Sequence, residues 1–191
     1  MAADNLVSGR SSSGAAAAPA RDRATLEQRF AQAGTPVQCC VELSKFFGVR
    51  SDEVALLRLE NGLLKFLSPV ELSTAGTIPI SSSTAVAAHT AVTKKIELFN
   101  NFTRIKHASI FESIKPVGEK VEGEELRPAT IYKLMSAPVM DKSEAVLGVI
   151  QISHKGFDLA SAGPDFTLDD LQELELAAKA LSTCAFMKTL A

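Results

Sequence analysis

The residues from 131 to 155 constrain the fold of this chain more than any other segment. Two β-rich apolar runs, 131–140 and 145–153, flank a short charged turn, a pattern that predicts an antiparallel hairpin. The second run is apolar on both faces from 146 to 152, apart from Gln151. A strand that is covered on both faces lies in the interior of a sheet. We therefore expect this hairpin to form the centre of an antiparallel sheet.

A second hairpin is predicted earlier in the chain. Segments 53–59 and 63–67 have the composition of strands, and Asn61-Gly62 between them is a strong signal for a tight turn. A two-residue turn places Leu59 opposite Leu64 and Leu57 opposite Phe66, so that apolar side chains share one face.

Helices are expected at both ends of the ordered region. Near the start, Thr35 and Pro36 have the types expected at an N-cap and a first helical position, and Gly48 supplies a stop. Gly34 interrupts this region, so that either two short helices or one kinked helix fits. Near the end, Thr167 and Asp170 have capping-box spacing. An apolar stripe follows them: Leu171, Leu174, Ala178, Leu181 and Ala185.

The middle of the chain has weaker signals. The hydroxyl run 81–84 precedes a helix at 85–92 and is well suited to cap it. We further predict a short helix at 96–106, a strand at 109–114 and an exposed loop at 116–127. The element order predicts an α+β domain over residues 22–191, with an antiparallel sheet of about five or six strands. Residues 1–21, rich in Ala, Ser and Gly, predict a disordered tail.

Residues 136–139, 147–155 and 166–170 resemble the closing half of a GAF domain. That family is a small-molecule-sensing and dimerising module of signalling proteins. The family's Asn-Lys…Phe-x-x-x-Asp-Glu signature is similar to His154-Lys155…Phe166…Asp170 followed by Leu171. The resemblance implies terminal helices on one face of the sheet, a ligand pocket on the other, and an ion pair between Lys155 and Asp170. The alternative for that pair is two solvated charges.

A ligand site is expected under a roof formed by residues 77–107. This stretch combines small residues, hydroxyls at a helix start and polar groups on apolar segments, as binding sites do. Simple helix capping is the structural alternative for the hydroxyls. The candidate ligand-binding residues are Ser82, Ser83, Thr84, His89, Asn100 and Asn101.

The reactive residue types give little support for catalysis. Cys39, Cys40 and Cys184 invite comparison with a reductase branch of the GAF family that works through thiols. However, Cys40 lies on an apolar helical stripe, and no cation adjoins the three in sequence, so we expect core cysteines. The three histidines lack the spacing of a zinc site, and we expect no metal.

Composition excludes several other classes of protein. An apolar fraction of 46% with 22% charged residues is typical of a globular core, and a net charge of −2 argues against a nucleic-acid surface. No apolar run approaches the ~18 residues of a membrane helix, so we expect a cytoplasmic protein. Apolar residues on second faces of the terminal helices predict a homodimer: Leu26, Phe30, Leu181, Phe186, Met187 and Leu190.

The sequence thus favours a non-enzymatic sensor module that binds a small ligand and dimerises. One alternative is a pure dimerisation or adaptor domain with an occluded pocket. The other is a GAF-type, thiol-dependent methionine sulfoxide reductase. The sequence names no ligand, cofactor or signalling partner.

Overall fold

The computed structural model of the protein describes residues 23–74, 76–104 and 129–188. The predicted tail at 1–21, strand at 109–114 and loop at 116–127 lie outside the described residues. No helix in the described ranges is long and apolar enough to cross a membrane.

The described residues form one antiparallel sheet of six strands in the order β3-β2-β1-β6-β5-β4. The strands are Val54–Glu60 (β1), Leu63–Ser68 (β2), Thr77–Pro79 (β3), Glu97–Phe99 (β4), Thr130–Met140 (β5) and Val146–Gly156 (β6). The predicted central hairpin is confirmed, because β6 lies between β1 and β5. It is buried along most of its length, as a strand apolar on both faces requires.

The first hairpin also has the predicted register. Leu59 pairs with Leu64 and Leu57 with Phe66. Asn61 and Gly62 both have positive φ, at 50° and 76°, which fits a turn whose twist matches that of the flanking strands.

Four helices occur in the described residues: Arg23–Ala33 (α1), Pro36–Phe47 (α2), Val86–Thr93 (α3) and Leu168–Leu181 (α4). The first two are separate helices. Gly34, at φ 70°, ends α1 with a bond from its N–H to the Phe30 carbonyl, and Thr35 then caps α2 by accepting from the Gln38 N–H. Of the two arrangements that the sequence allowed, two short helices is therefore correct.

The predicted helix at 96–106 is wrong over its first residues. Glu97–Phe99 is the edge strand β4, which pairs with β5, and a single 3-10 turn follows at Phe102–Arg104. Leu98 and Phe99 pack into apolar clusters on opposite faces of the sheet. That alternation has the period of a strand, so tertiary burial overrides the helical pattern.

The two faces of the sheet have separate apolar cores. On the terminal-helix face, α1, α2 and α4 cover the sheet, and the core includes Leu26, Phe30, Leu43, Leu174 and Leu181. On the α3 face, α3 covers the sheet, and the core includes Leu57, Leu64, Ala88, Phe102 and Val149. The predicted α+β arrangement, with the terminal helices on one face, is confirmed.

Candidate functional site

A line of hydrogen-bonded polar side chains crosses the apolar core of the α3 face. Gln151 Nε2 donates to Ser136 Oγ at 3.3 Å, and Ser136 Oγ lies 2.8 Å from Thr90 Oγ1. Thr90 Oγ1 donates to Glu97 Oε2 at 2.7 Å, and His89 Nδ1 lies 2.8 Å from Glu97 Oε1. We call these five residues the polar chain.

Strand register assembles the polar chain. Glu97 pairs with Ser136 across β4 and β5, and Ser136 pairs with Gln151 across β5 and β6, so three polar side chains form one row across the sheet. The helix α3 packs over this row through buried alanines. Because these side chains are small, the helix backbone approaches closely enough for Thr90 to reach both Ser136 and Glu97.

The polar chain runs from the protein surface into its interior. Thr90 and Ser136 are fully buried, and Gln151 is 5% exposed. The Glu97 side chain is 16% exposed and that of His89 56%. Since Thr90 donates its only hydroxyl proton to Glu97, it accepts from Ser136, and all the bonds from Gln151 onward point toward the carboxylate. His89 Nδ1–H then donates to the other oxygen of that carboxylate. The exposed end is a carboxylate and an imidazole that can meet a ligand.

Of the candidate ligand-binding residues, only His89 belongs to the polar chain. The predicted capping role of the hydroxyl run is wrong: the N-cap of α3 is Ala85, which makes no side-chain cap bond. Ser82 Oγ lies 3.3 Å from Thr84 Oγ1, and Ser83 is exposed.

The two asparagines make internal hydrogen bonds. Asn100 binds the backbone of Phe166 twice: its Nδ2 donates to the Phe166 carbonyl, and its Oδ1 accepts from the Phe166 N–H, both at 2.9 Å. Asn101 Oδ1 accepts from Thr103 Oγ1 at 3.3 Å. Asn100 therefore ties the end of β4 to the segment before α4 through both its amide nitrogen and its amide oxygen.

Sequence reasoning missed most of the polar chain. Gln151 carried a signal, as the one polar residue of an apolar strand. Thr90, Glu97 and Ser136 carried none, because their proximity depends on a strand register and a helix position that the local sequence does not specify.

The family-like motif residues form a second polar cluster, at the opposite end of β6 from the central turn. Lys155 is buried, its Nζ donates to the Asp52 carbonyl at 2.8 Å, and its N–H donates to Glu53 Oε1 at 2.7 Å. Asp170 Oδ2 accepts from the N–H and the hydroxyl of Thr167, both at 2.7 Å. The Lys155 ammonium thus pairs with the turn before β1, and its implied ion pair with Asp170 stays a prediction.

Phe166 supports this cluster by stacking. Its ring lies 4.3 Å from that of His154, at an interplanar angle of 11°. Burial of the imidazole is the main cause that lowers the pKa of His154 below its ordinary value. The motif therefore fastens the loop before α4 to the end of β6.

The cysteines all pack against the core of the terminal-helix face. Cys39 and Cys40 are buried, as predicted, whereas Cys184 is half-buried. Burial raises the pKa of Cys40 to about 12, although a hydrogen bond with Ser68 opposes that shift. The described residues also hold no group of three His, Cys, Asp or Glu placed to bind a metal ion.

Two clefts line the outer side of α2. One, of about 340 Å³, lies between α1 and α2 and includes Arg29, Glu42 and Val41. The other, of about 200 Å³, lies between α2 and the turn after β2 and includes Val41 and Val70. Both clefts are on the terminal-helix face.

Comparison with known proteins identifies the fold. No family model matches the chain, and no curated protein sequence matches it. The GAF domain of a phosphoenolpyruvate-protein phosphotransferase from Acinetobacter is 14% identical, with a TM-score of 0.59 over 85% of this chain and 89% of that one. The corresponding Coxiella burnetii domain is 10% identical, with a TM-score of 0.57 over 87% and 94%. A free methionine-R-sulfoxide reductase from Thermoplasma acidophilum is 15% identical, with a TM-score of 0.50 over 83% and 94%. The fold of this chain is that of a GAF domain.

Proposed function

We propose that this chain is a non-enzymatic sensor module that binds a small polar ligand at the exposed end of the polar chain and works as a homodimer. The observation that carries the proposal is the continuous hydrogen-bonded line from buried Gln151 to exposed His89. The sensor is proposed to act in the cytoplasm, where the three free thiols would remain reduced.

Filling the centre of a core with the polar chain costs free energy that apolar side chains would not cost. Burying a hydroxyl or amide costs free energy unless it is hydrogen-bonded, and a network that loses one member leaves the others unsatisfied. Apolar side chains of similar size would pack α3 against the sheet without that risk. The outer end supplies two oxygens and an imidazole, which fits a ligand that carries an amine or hydroxyl donor.

The sheet offers a route from this site to the other face. Ser136 lies on the α3 face, and its neighbours Met135 and Ala137 lie in the core of the terminal-helix face. A ligand that moves Glu97 and Thr90 would shift Ser136 and thereby the packing under α1, α2 and α4. This coupling requires two conformations that bind the ligand with different affinity.

Hydrogen exchange tests the proposed site. The full chain is screened against polar metabolites by thermal shift, and each binder is then mapped. We expect protection over residues 86–99 and a loss of affinity of about tenfold or more in Glu97→Gln, because a hydrogen bond to a charged group contributes ~1.5–3 kcal/mol. Glu175→Gln, on α4 with a side chain that is 46% exposed, is the matched control. Binders that all protect another region, or an unchanged affinity in Glu97→Gln, would contradict the sensor.

An adaptor with an occluded pocket is the second candidate. Ile78 and Phe102 are buried in the core of the α3 face, and Ile80 packs against it. Such filling leaves less room for a ligand. This candidate predicts a constitutive dimer that no metabolite shifts in the same screen.

The thiol-reductase alternative receives less support. A reductase of free methionine-R-sulfoxide shares the fold, but Cys39, Cys40 and Cys184 all pack on the terminal-helix face, away from the polar chain. We expect no reduction of methionine-R-sulfoxide when the chain is supplied with a dithiol reductant.

A further inference from the structure

A turn directly after β6 displays two large apolar side chains to solvent. Phe157 is 70% exposed and Leu159 is 47% exposed. They lie two residues apart in the segment 157–161, which we call the apolar turn. A single exposed leucine is common on protein surfaces, but an aromatic and an aliphatic side chain in one turn are typical of an interaction site.

Hydrogen bonds fix the backbone of the apolar turn. Ser161 Oγ accepts from the N–H groups of Phe157 and Asp158, at 3.1 and 3.0 Å. The Ser161 N–H in turn donates to Asp158 Oδ1 at 2.7 Å. Tyr132 Oη donates to the Phe157 carbonyl at 3.2 Å. The backbone of Phe157 is therefore bound at both its N–H and its carbonyl, and the ring is presented from a fixed position.

The residues that follow anchor the apolar turn to the sheet. Ala162 is buried, and a Cβ atom at Gly156 would lie only 2.7 Å from the Ala162 nitrogen. Lys133 Nζ donates to the Gly163 carbonyl at 2.5 Å and pairs with Asp165 Oδ1 at 2.9 Å. The Lys133 side chain is 4% exposed, so a buried ammonium holds the loop in place. A loop that is already ordered loses less conformational entropy when it binds a partner.

The charge around the apolar turn selects the kind of partner. Hydrogen bonds from Ser161 lower the pKa of Asp158, so the carboxylate between Phe157 and Leu159 is ionised at neutral pH. An acidic apolar surface is repelled by an anionic membrane and by a second copy of itself, and it attracts a basic partner. Residues 156–170 contain four acidic residues and no lysine or arginine: Asp158, Asp165, Asp169 and Asp170.

We propose that the apolar turn docks onto a basic amphipathic helix of a partner protein. Phe157 and Leu159 insert between the side chains of the apolar stripe of that helix, as knobs fit into holes on a facing helix. Asp158 then faces the lysines or arginines that border the stripe. Gln151, the buried end of the polar chain, lies on the strand that leads into this turn, but docking needs no ligand on the polar chain.

Fluorescence anisotropy tests the docking with a defined probe. The full chain is titrated into a labelled helical peptide of leucine and lysine, arranged as one apolar stripe with a basic border. We expect saturable binding that weakens as the salt concentration rises, and no binding of the matched peptide in which glutamate replaces lysine. Phe157→Ser should weaken binding at least about tenfold, because the ring is buried in the complex. Asp158→Asn keeps the oxygen that accepts from Ser161 but removes the charge, and should weaken binding about two- to fivefold.

Val92→Ser is the matched control, because it removes an apolar side chain that is 60% exposed on α3. It should bind the peptide as the unsubstituted chain does. Equal affinity for the two peptides, an equal loss in Val92→Ser and Phe157→Ser, or the absence of saturable binding would overturn the proposal. Binding to vesicles of phosphatidylcholine and phosphatidylglycerol that depends on Phe157, without binding of the peptide, would overturn it in favour of a membrane. A dimer that Phe157→Ser alone disperses in sedimentation would overturn it in favour of a second copy.

Discussion

Gly148 lies opposite Arg58 where β6 pairs with β1. A Cβ atom at this position would lie 2.0 Å from the Leu57 carbonyl oxygen and 2.7 Å from Met187 Cε. The methionine end can move, but the strand backbone can move only by breaking the pairing of Arg58 with Gly148. The requirement for glycine therefore comes from close packing between strands and the C-terminal turn.

We expect Gly148→Ala to destabilise the protein by at least ~1–3 kcal/mol, the usual cost of overpacking, and Gly148→Val to cost more. Urea unfolding measures both. Lys142→Ala, at an exposed position in the adjoining turn, should change the free energy of unfolding by less than about 0.5 kcal/mol. A melting temperature unchanged in Gly148→Val would be incompatible with a packed central strand.

His154 should make stability depend on pH. Its pKa is lowered in the folded state, chiefly by burial, so below about pH 6.5 the unfolded chain takes up the proton first. The stability due to neutral His154 is complete above that pH and is lost as the pH falls toward the folded-state pKa. Glu53 and Asp170 favour the charged form, whereas Lys133 and Arg50 disfavour it.

The free energy of unfolding, measured between about pH 7.5 and pH 5.5, should therefore fall less steeply in His154→Phe, which keeps an aromatic ring against Phe166. His89→Phe is the control, because it replaces a different histidine with the same aromatic residue. If the two variants and the unsubstituted chain lose stability in parallel, His154 is not buried in its neutral form.

At the scale of the element, two side chains cap the N-terminus of α4. Thr167 Oγ1 accepts from the Asp170 N–H at 3.1 Å, and the Asp170 carboxylate accepts from the Thr167 N–H. We expect Thr167→Ala to lower the free energy of unfolding by ~0.5–2 kcal/mol, the range measured for lost N-caps. Thr167→Ser keeps the cap and should remain close to the unsubstituted chain in the same urea titration. Equal losses in both variants would show that the methyl group, rather than the cap, matters.

Asn100 joins two elements, β4 and α4, through the backbone of Phe166. We expect Asn100→Ala to cost ~1–3 kcal/mol, because it leaves two partly buried backbone groups without their partner. Asn101→Ala is the neighbouring control, since Asn101 accepts a local hydrogen bond from Thr103, two residues away. Ligand affinity per folded molecule should be unchanged in Asn100→Ala. If Asn100→Ala kept its stability but lost ligand affinity, Asn100 would be a ligand-binding residue after all.

At the scale of the whole molecule, most residues predicted to form the dimer interface are buried inside a single chain. A homodimer would therefore use other apolar residues. Leu26, Phe30, Leu181 and Met187 are buried within one chain, Phe186 is half-buried, and Leu190 lies outside the described residues. The large apolar residues that α2 exposes are Val37, at 42%, and Val41, at 38%. We propose that a homodimer would pair the terminal-helix faces through these valines.

Sedimentation at tens of micromolar, the range of weak interfaces, should show a dimer. A buried charge disrupts an apolar contact, so Val41→Glu should produce a monomer. Val92→Glu places the same charge at an exposed position on α3 and should leave the dimer intact. A chain that sediments only as a monomer, or a dimer indifferent to Val41→Glu, would contradict this interface.

The sequence by itself determined the features that depend on neighbours in the chain. The Asn61-Gly62 turn, the caps at Thr35 and Thr167 and the two hairpins follow from local hydrogen bonds and allowed φ values. The apolar run of β6 also placed that strand at the centre of the sheet. These signals were enough to predict the α+β class and the placement of the helices.

Only the tertiary structure decided which distant residues meet. Ser136 joins Thr90 across 46 residues, and Lys155 joins Asp52 across 103. Edge strand β4 forms because pairing with β5 buries Leu98 and Phe99 on opposite faces. In each case the partner is selected by strand register and helix packing, and a shift of one residue would turn the side chains to the other face of the sheet.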